Sequence, residues 1–380
     1  MKITGSRIGI YAPNGDGHRF KYVQYLLTHL PAGVGEVVLL TTPESLRSNN
    51  FTLHLASSED RFAVHLMDSD RIGDLVALSR SLHTDLMVLP DGDSFAWKHA
   101  WRKGWKGAGE VSALVMRASG QRGGPLRKAA DRRIKRMFFA LGNSRHHIHL
   151  TRLESALWDP VTSEHGVADP ITYEPDEAAL DVLCPPGTMS QELRWVGLVG
   201  ALDRRKNVPL VLEAALHVRR GGFGIVLAGR TDASITEDVD SWVARLREHG
   251  IPVLVIRQLL TDGQLDALIG RLQCVVLAHS NEGPSGILGK AARAGTFVAA
   301  AGANSLQQDC RSMPMSSRWS PLTVEGLALS IEEGLSCQSL QSRSVGSAET
   351  FARRLLQGIF DESGTSSDNG QELPVRTPPR

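Results

Sequence analysis

The sequence is poor in cysteine, and the four cysteines that it has lie far apart. They stand at positions 184, 274, 310 and 337 of 380 residues, so no two of them form a Cys-x-x-Cys pair. This spacing excludes the common zinc and dithiol redox motifs. It also argues against a disulfide framework, because disulfide scaffolds are dense in cysteine, and it favours a reducing compartment.

The sequence also lacks long apolar runs and any large excess of charge of one sign. No apolar stretch approaches the roughly 20 residues of a membrane-spanning helix, and the apolar run within MKITGSRIGIYAPNGDG is too short for a signal peptide. The formal net charge is only +1, so no global field favours nucleic acid as a partner. We therefore expect a soluble cytoplasmic protein, and we leave open peripheral contact with the inner face of the membrane.

What the sequence does contain is an alternation of short apolar runs with segments of helical periodicity. The predicted strands of the first half are RIGIYA (7–12), EVVLLT (36–41), DLMVLP (85–90), VSALVM (111–116) and HIHLTR (147–152). Those of the second half are RWVGLVG (194–200), FGIVLAG (223–229), PVLVIR (252–257), CVVLAH (274–279) and TFVAAA (296–301). Strands that alternate with helices favour parallel sheets covered by helices on both faces.

This pattern predicts an α/β fold of two doubly wound, Rossmann-like domains that face a central cleft. The first domain would span residues 1–170 and the second 194–345, with the proline-rich segment 171–193 as the connection. Residues 346–360 form a predicted C-terminal helix, whose return to the first domain is left open, and 361–380 a disordered polar tail. Ligands of such sheets bind beyond the carboxyl ends of the strands, so the cleft is the expected site.

The first predicted strand is followed by a glycine loop, NGDGH, at residues 14–18. Gly15 and Gly17 would let the backbone approach a ligand closely, and the next helix would offer free N–H groups. The loop is not Gly-x-Gly-x-x-Gly, so the dinucleotide fingerprint is absent. A simple turn between a strand and a helix explains the glycines as well.

A second loop, GALDRRKN (200–207), places three cations at the start of a predicted helix: Arg204, Arg205 and Lys206. Cations at this end oppose the helix dipole, so they do not stabilise the helix. They are better explained by a bound anion, and a diphosphate would engage the side chains, the dipole and the free N–H groups together. The alternative is a turn exposed to solvent.

A third loop, in SNEGPSGILGKAARAG (280–295), has the same character. Ser285 is a suitable N-cap, and Gly283 and Gly286 would let a ligand lie against the backbone. Glu282 is the one carboxylate of the turn and would accept hydrogen bonds from ligand hydroxyls, while Lys290 lies one turn into the helix. The alternative is a capped turn followed by a surface lysine.

Two loops of the first half hold candidates for an acceptor side of the cleft. Asp91 and Asp93 belong to DGDSF (91–95), and Arg117 and Ser119 to MRASG (116–120). Arg117 would balance a phosphate, and Asp93 would act as a base. Loop aspartates more often form turns, so a structural role is the alternative.

A basic amphipathic helix is predicted over LRKAADRRIKRMFFAL, residues 126–141. A solvated face is the simple interpretation of its charge. The functional alternative is a surface that meets anionic lipid or another acidic partner.

The second half resembles a known family along residues 194–302. WVGLVGALDRRKNVPLVLEAA (195–215) resembles the segment that opens the nucleotide-sugar-binding domain of GT-B glycosyltransferases, above all the retaining "group 1" (family 4-like) proteins. GRTD (229–232) is similar to the family's glycine turn after the next strand, and residues 259–302 resemble its longest signature, which contains EGFGxxxLEAMAxGxPV. The first half matches only in the order of its strands and helices.

The resemblance implies roles for individual residues. Lys206 takes the place of the lysine that binds the donor diphosphate, and Glu282 that of the glutamate that meets the donor sugar. Gly229 lies in the matching turn. Two positions depart from the family: Ala201 stands where the family has arginine, so Arg204 or Arg205 would substitute, and Lys290 replaces the glutamate that binds the ribose.

The function that the resemblance implies is transfer of a sugar, with retention and without metal, from a nucleoside-diphosphate donor to an acceptor that is a glycan, a lipid or a small molecule. Glu282, Lys206 and Arg205 are the predicted catalytic residues. Fixed cations and helix N–H groups would stabilise the leaving diphosphate, so no obligatory metal or other cofactor is expected. A catalytically altered protein that only binds a partner, and a sugar-nucleotide epimerase, are the alternatives.

Overall fold

The computed structural model describes residues 5–15, 19–68, 71–116, 125–158, 165–338 and 340–360. They form two parallel sheets, one in each half of the chain. The predicted tail, 361–380, lies outside the described residues, as do Gly17, Arg117 and Ser119.

The first sheet has seven parallel strands in the order β3-β2-β1-β4-β5-β6-β7. Its central strands are buried on both faces, as parallel strands between two layers of helices must be; every residue of β4 is buried. The strands are β1 (Ser6–Tyr11), β2 (Val34–Thr41), β3 (Ala63–Leu66), β4 (Leu86–Leu89), β5 (Glu110–Val115), β6 (Ile148–Glu154) and β7 (Gly166–Ala168).

Helices connect these strands and cover both faces of the sheet. In chain order they are α1 (Arg19–Thr28), α2 (Pro43–Leu46), α3 (Asn49–His54), α4 (Ile72–Ser81), α5 (Asp93–Phe95), α6 (Trp101–Lys103) and α7 (Pro125–Asn143). A π-helical turn, Ala96–Ala100, joins α5 to α6. The basic segment predicted as a helix therefore lies within α7.

The second sheet has six parallel strands in the order β10-β9-β8-β11-β12-β13. The strands are β8 (Arg194–Val199), β9 (Phe223–Ala228), β10 (Val253–Ile256), β11 (Cys274–His279), β12 (Phe297–Gly302) and β13 (Ser317–Ser320). The helices are α8 (Glu177–Leu183), α9 (Val208–Leu216), α10 (Thr236–Glu248), α11 (Asp262–Arg271), α12 (Gly286–Ala294), α13 (Asn304–Ser312), α14 (Val324–Ser336), α15 (Ala348–Leu355) and α16 (Gln357–Phe360).

Three strands were not predicted from the sequence, and all three lie at or beside a sheet edge. β3 is largely exposed, β7 has only three residues, and β13 has the polar sequence SRWS. Edge strands need not be apolar on both faces, so they lack the apolar run by which the others were found. Likewise the segment 171–193 contains helix α8, whose Leu180 is fully buried in the core of the second half.

The two halves meet through polar contacts as well as through the chain itself. Lys21 of α1 forms an ion pair of 2.8 Å with Asp262, the first residue of α11. Close by, the Tyr22 hydroxyl donates a hydrogen bond of 2.8 Å to Asp169. Helices α1 and α11 each follow the carboxyl end of a strand. These contacts therefore bring the carboxyl edges of the two sheets towards each other.

The C-terminal helix α15 packs on the first half, against α1 and strands β5 to β7. Phe351 is fully buried there, with its ring centroid 4.9 Å from that of Tyr22 and 6.4 Å from that of Tyr25. Among the described residues, no helix is long and apolar enough to cross a membrane.

Phe351→Ala tests this packing. The substitution removes a fully buried aromatic ring, so we expect the free energy of unfolding to fall by about 3–5 kcal/mol, measured by urea unfolding. Arg353→Ala on the same helix is the control, because Arg353 is exposed and, among the described residues, forms its ion pair with Glu349 alone; this substitution should lower the free energy of unfolding by no more than about 1 kcal/mol. Equal losses in both variants would contradict the packing role.

Candidate active site

The candidate site lies where the order of the second sheet changes direction, between β8 and β11. Loops that follow two adjacent strands at such a point diverge and leave a crevice. Here the loops are 200–207 after β8 and 280–285 after β11, and they touch where the Ser280 N–H donates 2.9 Å to the Arg205 carbonyl oxygen. An isolated β-bridge between Leu202 and Thr231 connects the loop after β9 to the loop after β8.

Lys206 is the cation that these loops enclose. It ends a 3₁₀ turn, Arg204–Lys206, and its ammonium donates 2.9 Å to the Val199 carbonyl oxygen at the end of β8. Burial lowers the pKa of Lys206 to about 8, and the Asp203 carboxylate only partly opposes this effect. A lysine held in this way is still mainly charged at neutral pH, and its charge is poorly hydrated.

Gly200 lies between the Lys206 ammonium and the Ile287 side chain, which belongs to the first turn of α12. Gly200 has φ +88°, and a Cβ built on it would lie 3.2 Å from Lys206 Nζ and 3.7 Å from Cδ1 of Ile287. The bare backbone of Gly200 thus leaves a small space bordered by a cation and by the apolar side chain of Ile287. The cation attracts anions.

Gly229, predicted as a site residue, has a structural reason to be glycine. Its φ is +137°, and a Cβ there would lie 1.9 Å from the carbonyl oxygen of Gly200. The loops after β8 and β9 are therefore in backbone contact. Any side chain at Gly229 would displace Gly200, which borders the space beside Lys206.

Arg204 and Arg205 do not share the position of Lys206. The Arg204 guanidinium donates to the Ser234 side chain at 3.2 Å and to the Ser234 carbonyl at 3.3 Å. The Arg205 guanidinium pairs with Asp203 at 2.6 Å, and the same carboxylate accepts from the Arg205 N–H, which makes Asp203 the cap of the turn. Both arginines are exposed.

His279 was not singled out from the sequence, yet it borders the same loops. It is the last residue of β11, and its Nε2 is buried without a hydrogen-bond partner among the described residues. Burial, together with the charges of Lys206 and Arg205, lowers its pKa to about 4, so the ring is neutral. The sequence feature that could have identified His279 is its position at the carboxyl end of a buried strand.

Glu282 contacts the start of α13. Its carboxylate accepts from the Ser305 N–H at 2.9 Å and from Asn304 at 3.1 Å through the backbone and 2.8 Å through the side chain. Burial alone would raise the pKa of Glu282, but these hydrogen bonds outweigh it and lower the pKa. Glu282 is thus a helix cap in this structure, and its predicted role towards a sugar stays a prediction.

The rest of that loop forms the start of α12. Ser285 is the N-cap, as expected, and accepts from the Leu288 N–H at 3.4 Å. Gly286 is the first helical residue. Gly283 has φ +144°, which favours glycine, and its N–H donates 3.3 Å to the Ser305 hydroxyl.

Lys290 lies on the side of α12 that faces the connection between the halves. Its ammonium pairs with Asp266 of α11 and donates 3.2 Å to the Thr172 carbonyl oxygen. Asp266 also accepts from the Glu174 N–H at 2.9 Å. Both side chains of the pair are buried. At the position where the resemblance implies a ribose-binding glutamate, this chain has one partner of a buried ion pair.

On the first half, the described candidates all have structural partners. Asp91 pairs with Arg19 at the start of α1, at 2.6 Å, and Asp93 accepts from the Met116 N–H at 3.0 Å. Gly15 donates its N–H to the Ser45 hydroxyl at 3.1 Å. A Cβ on Gly15 would lie 2.2 Å from the ring of Phe20, so packing alone requires glycine there.

No protein-family model matches this sequence, and no curated protein matches it. Solved structures do match. Sucrose-phosphate synthase from Thermosynechococcus elongatus aligns with a TM-score of 0.62 over 94% of each chain, at 13% identity. HepE of Anabaena in complex with UDP aligns with a TM-score of 0.61 over 94% of this chain and 95% of that one, at 12% identity.

The lipopolysaccharide outer core galactosyltransferase WaaB, in its apo form, aligns with a TM-score of 0.58 over 94% of this chain and 99% of that one, at 11% identity. At such identities the likeness shows the fold. The predicted fold class is confirmed: the chain has the two-domain GT-B architecture.

The Lys290–Asp266 pair gives a test of how this part of the site is built. Lys290→Met leaves Asp266 buried without its counter-charge, so the free energy of unfolding should fall by about 3–5 kcal/mol, as measured by urea unfolding. The double variant Lys290→Met, Asp266→Leu removes both charges and should recover most of that loss. A double variant no more stable than the single one would contradict the pairing.

Proposed function

We propose that this protein transfers a glycosyl group from a nucleoside-diphosphate sugar to an acceptor held by the first half of the chain. The observation that carries the proposal is the placement of Lys206. Its ammonium lies beside Gly200, whose other side faces the Ile287 side chain of α12, at the point where the sheet order changes direction. The GT-B fold supports the same reaction class.

The chemistry follows from the charge that develops on the leaving group. When the bond between the sugar and the diphosphate breaks, negative charge grows on the phosphate oxygens. The Lys206 ammonium and the N–H groups of α12 would stabilise that charge from fixed positions, which is how preorganised groups lower a barrier. Since Arg204 and Arg205 are exposed, either could turn to the phosphates without leaving a buried partner unsatisfied.

A uridine nucleotide is the donor that we propose first. HepE, which shares this fold, was solved with UDP bound. Retention of configuration and independence from metal are part of the proposal because the resemblance of residues 194–302 to the retaining group implies them. Proton NMR of the product and assays with and without a chelator test these two points separately.

The loops after β4 and β5 are proposed to meet the acceptor. Asp91 and Asp93 lie at the carboxyl end of β4 and so border the cleft from the first half. Arg117 and Ser119 follow β5 in the sequence. A glycan, a lipid and a small molecule are all compatible with this set of polar groups.

Donor binding is tested by calorimetry with UDP at neutral pH. Lys206→Met removes a charge-assisted hydrogen bond of about 1.5–3 kcal/mol, so affinity should fall about tenfold to a hundredfold. Arg318→Gln, on β13, is the control for loss of one exposed charge and should bind as the parent protein does. Equal affinity of the parent and Lys206→Met would contradict the assignment.

The pH dependence of UDP binding tests the same lysine in another way. In the free protein Lys206 loses its proton near pH 8, and a bound diphosphate favours the protonated form. Affinity should therefore be greatest below pH 8 and fall as the pH rises above it. Lys206→Arg keeps its charge throughout, so its affinity should stay flat. A flat profile for the parent protein would exclude Lys206 as the titrating group.

A protein that binds without catalysing is the second candidate. It is favoured by Glu282 and Lys290, whose side chains are engaged by α13 and by Asp266. Binding of UDP-glucose without release of UDP in the presence of any acceptor would support it. Consumption of the donor with no acceptor present would instead indicate an epimerase.

A further inference from the structure

One face of the first half exposes a stripe of large apolar side chains. On α7, Ile134, Met137 and Leu141 are 48%, 52% and 41% exposed. Their spacing of three and four residues places them on one side of the helix. A contiguous apolar stripe in contact with water indicates a surface that another body covers.

Aromatic rings extend this stripe. Phe138 stacks on Trp101 of α6, with centroids 4.2 Å apart and ring planes 4° apart. α7 also packs on the turn Ala96–Ala100, where the Lys135 ammonium lies 5.4 Å from the centre of the Trp97 ring. Both tryptophans are partly exposed. Tryptophan is the side chain most suited to the headgroup region of a bilayer.

The charge around the stripe is strongly positive. Residues 96–145 contain 13 of the 42 lysines and arginines but only two acidic residues, Glu110 and Asp131. Their net charge is +11, whereas that of the whole chain is +1. This segment therefore concentrates the positive charge of an otherwise acidic chain.

The described side chains place several of these cations beside the stripe. The exposed cations are Arg133 and Arg136 of α7, Arg102 and Lys103 of α6, and Lys98 of the turn Ala96–Ala100. The pKa of His99 is lowered by burial and then by the charges of Lys103, Lys98 and Arg102, which reports the local positive potential. Arg102 also lies 4.6 Å from the centre of the Trp101 ring.

We infer that this face, formed by α6, α7 and the turn between α5 and α6, docks on a bilayer that contains anionic lipid. The apolar stripe would enter the boundary between headgroups and acyl chains, and the flanking cations would contact lipid phosphates. An acidic macromolecule would match the cations but not the exposed Ile134, Met137 and Leu141. The inference does not depend on the proposed sugar transfer.

Co-sedimentation of the full chain with vesicles tests the inference. Vesicles of equal parts phosphatidylcholine and phosphatidylglycerol should bind the protein, and vesicles of phosphatidylcholine alone should bind it far more weakly. Because the cations act through screened charge, binding should also fall as salt is added. Equal binding to both kinds of vesicle, or none to either, would overturn the inference.

Two sets of variants separate the apolar and the charged contributions. Ile134→Ser, Met137→Ser, Leu141→Ser together should abolish most binding, because the stripe no longer enters the bilayer. Arg133→Gln with Arg136→Gln should weaken binding on the order of twentyfold, from about fivefold for each cation, and should reduce its dependence on salt. Circular dichroism checks that each variant is folded.

Matched controls come from the second half. Val182→Ser with Leu329→Ser removes two apolar side chains that are also exposed, and Arg293→Gln with Arg311→Gln removes two exposed charges. Both should sediment as the parent protein does. Losses as large as those of the α7 variants would overturn the inference. Binding to polyglutamate without binding to vesicles would also overturn it, because the partner would then be an acidic macromolecule. A dimer that is seen in sedimentation equilibrium and is dissociated by the serine substitutions on α7 would overturn it as well.

Discussion

The buried ion pair between Lys290 and Asp266 is a central contact between the second half and the connection between the halves. It links α12 to α11, and both partners also contact the backbone of the connecting segment, at Thr172 and Glu174. Two charges so deeply buried are stable only while both partners are present. Helix α12, whose first turn borders the proposed phosphate site, is therefore anchored at its middle, one turn beyond that site.

On this framework the proposed donor site needs only a few side chains. Gly200 and Gly229 bring two loops into backbone contact, and the space that they leave is bordered by Lys206 and the start of α12. Burial makes the Lys206 charge poorly hydrated, so an anion that reaches it gains more than it would at an exposed lysine. His279 supplies a neutral ring next to this cation.

The sequence was sufficient for the fold because the central strands are buried on both faces and so appear as apolar runs. It was insufficient for β3, β7 and β13, which are short or polar at the sheet edges. Lys206 could be singled out because cations are unusual at a helix start. The partners of Glu282 and Lys290 could not be predicted from the sequence. Ser305 lies 23 residues from Glu282, and Asp266 lies 24 residues from Lys290.

The most direct test is a crystal structure of the protein with UDP. We expect a phosphate oxygen within about 3 Å of Lys206 Nζ, between Gly200 and the first turn of α12. The Lys290–Asp266 pair should stay unbroken. A nucleotide bound with its phosphates away from Lys206, or a displaced Lys290 that contacts the ribose, would contradict this account of the site.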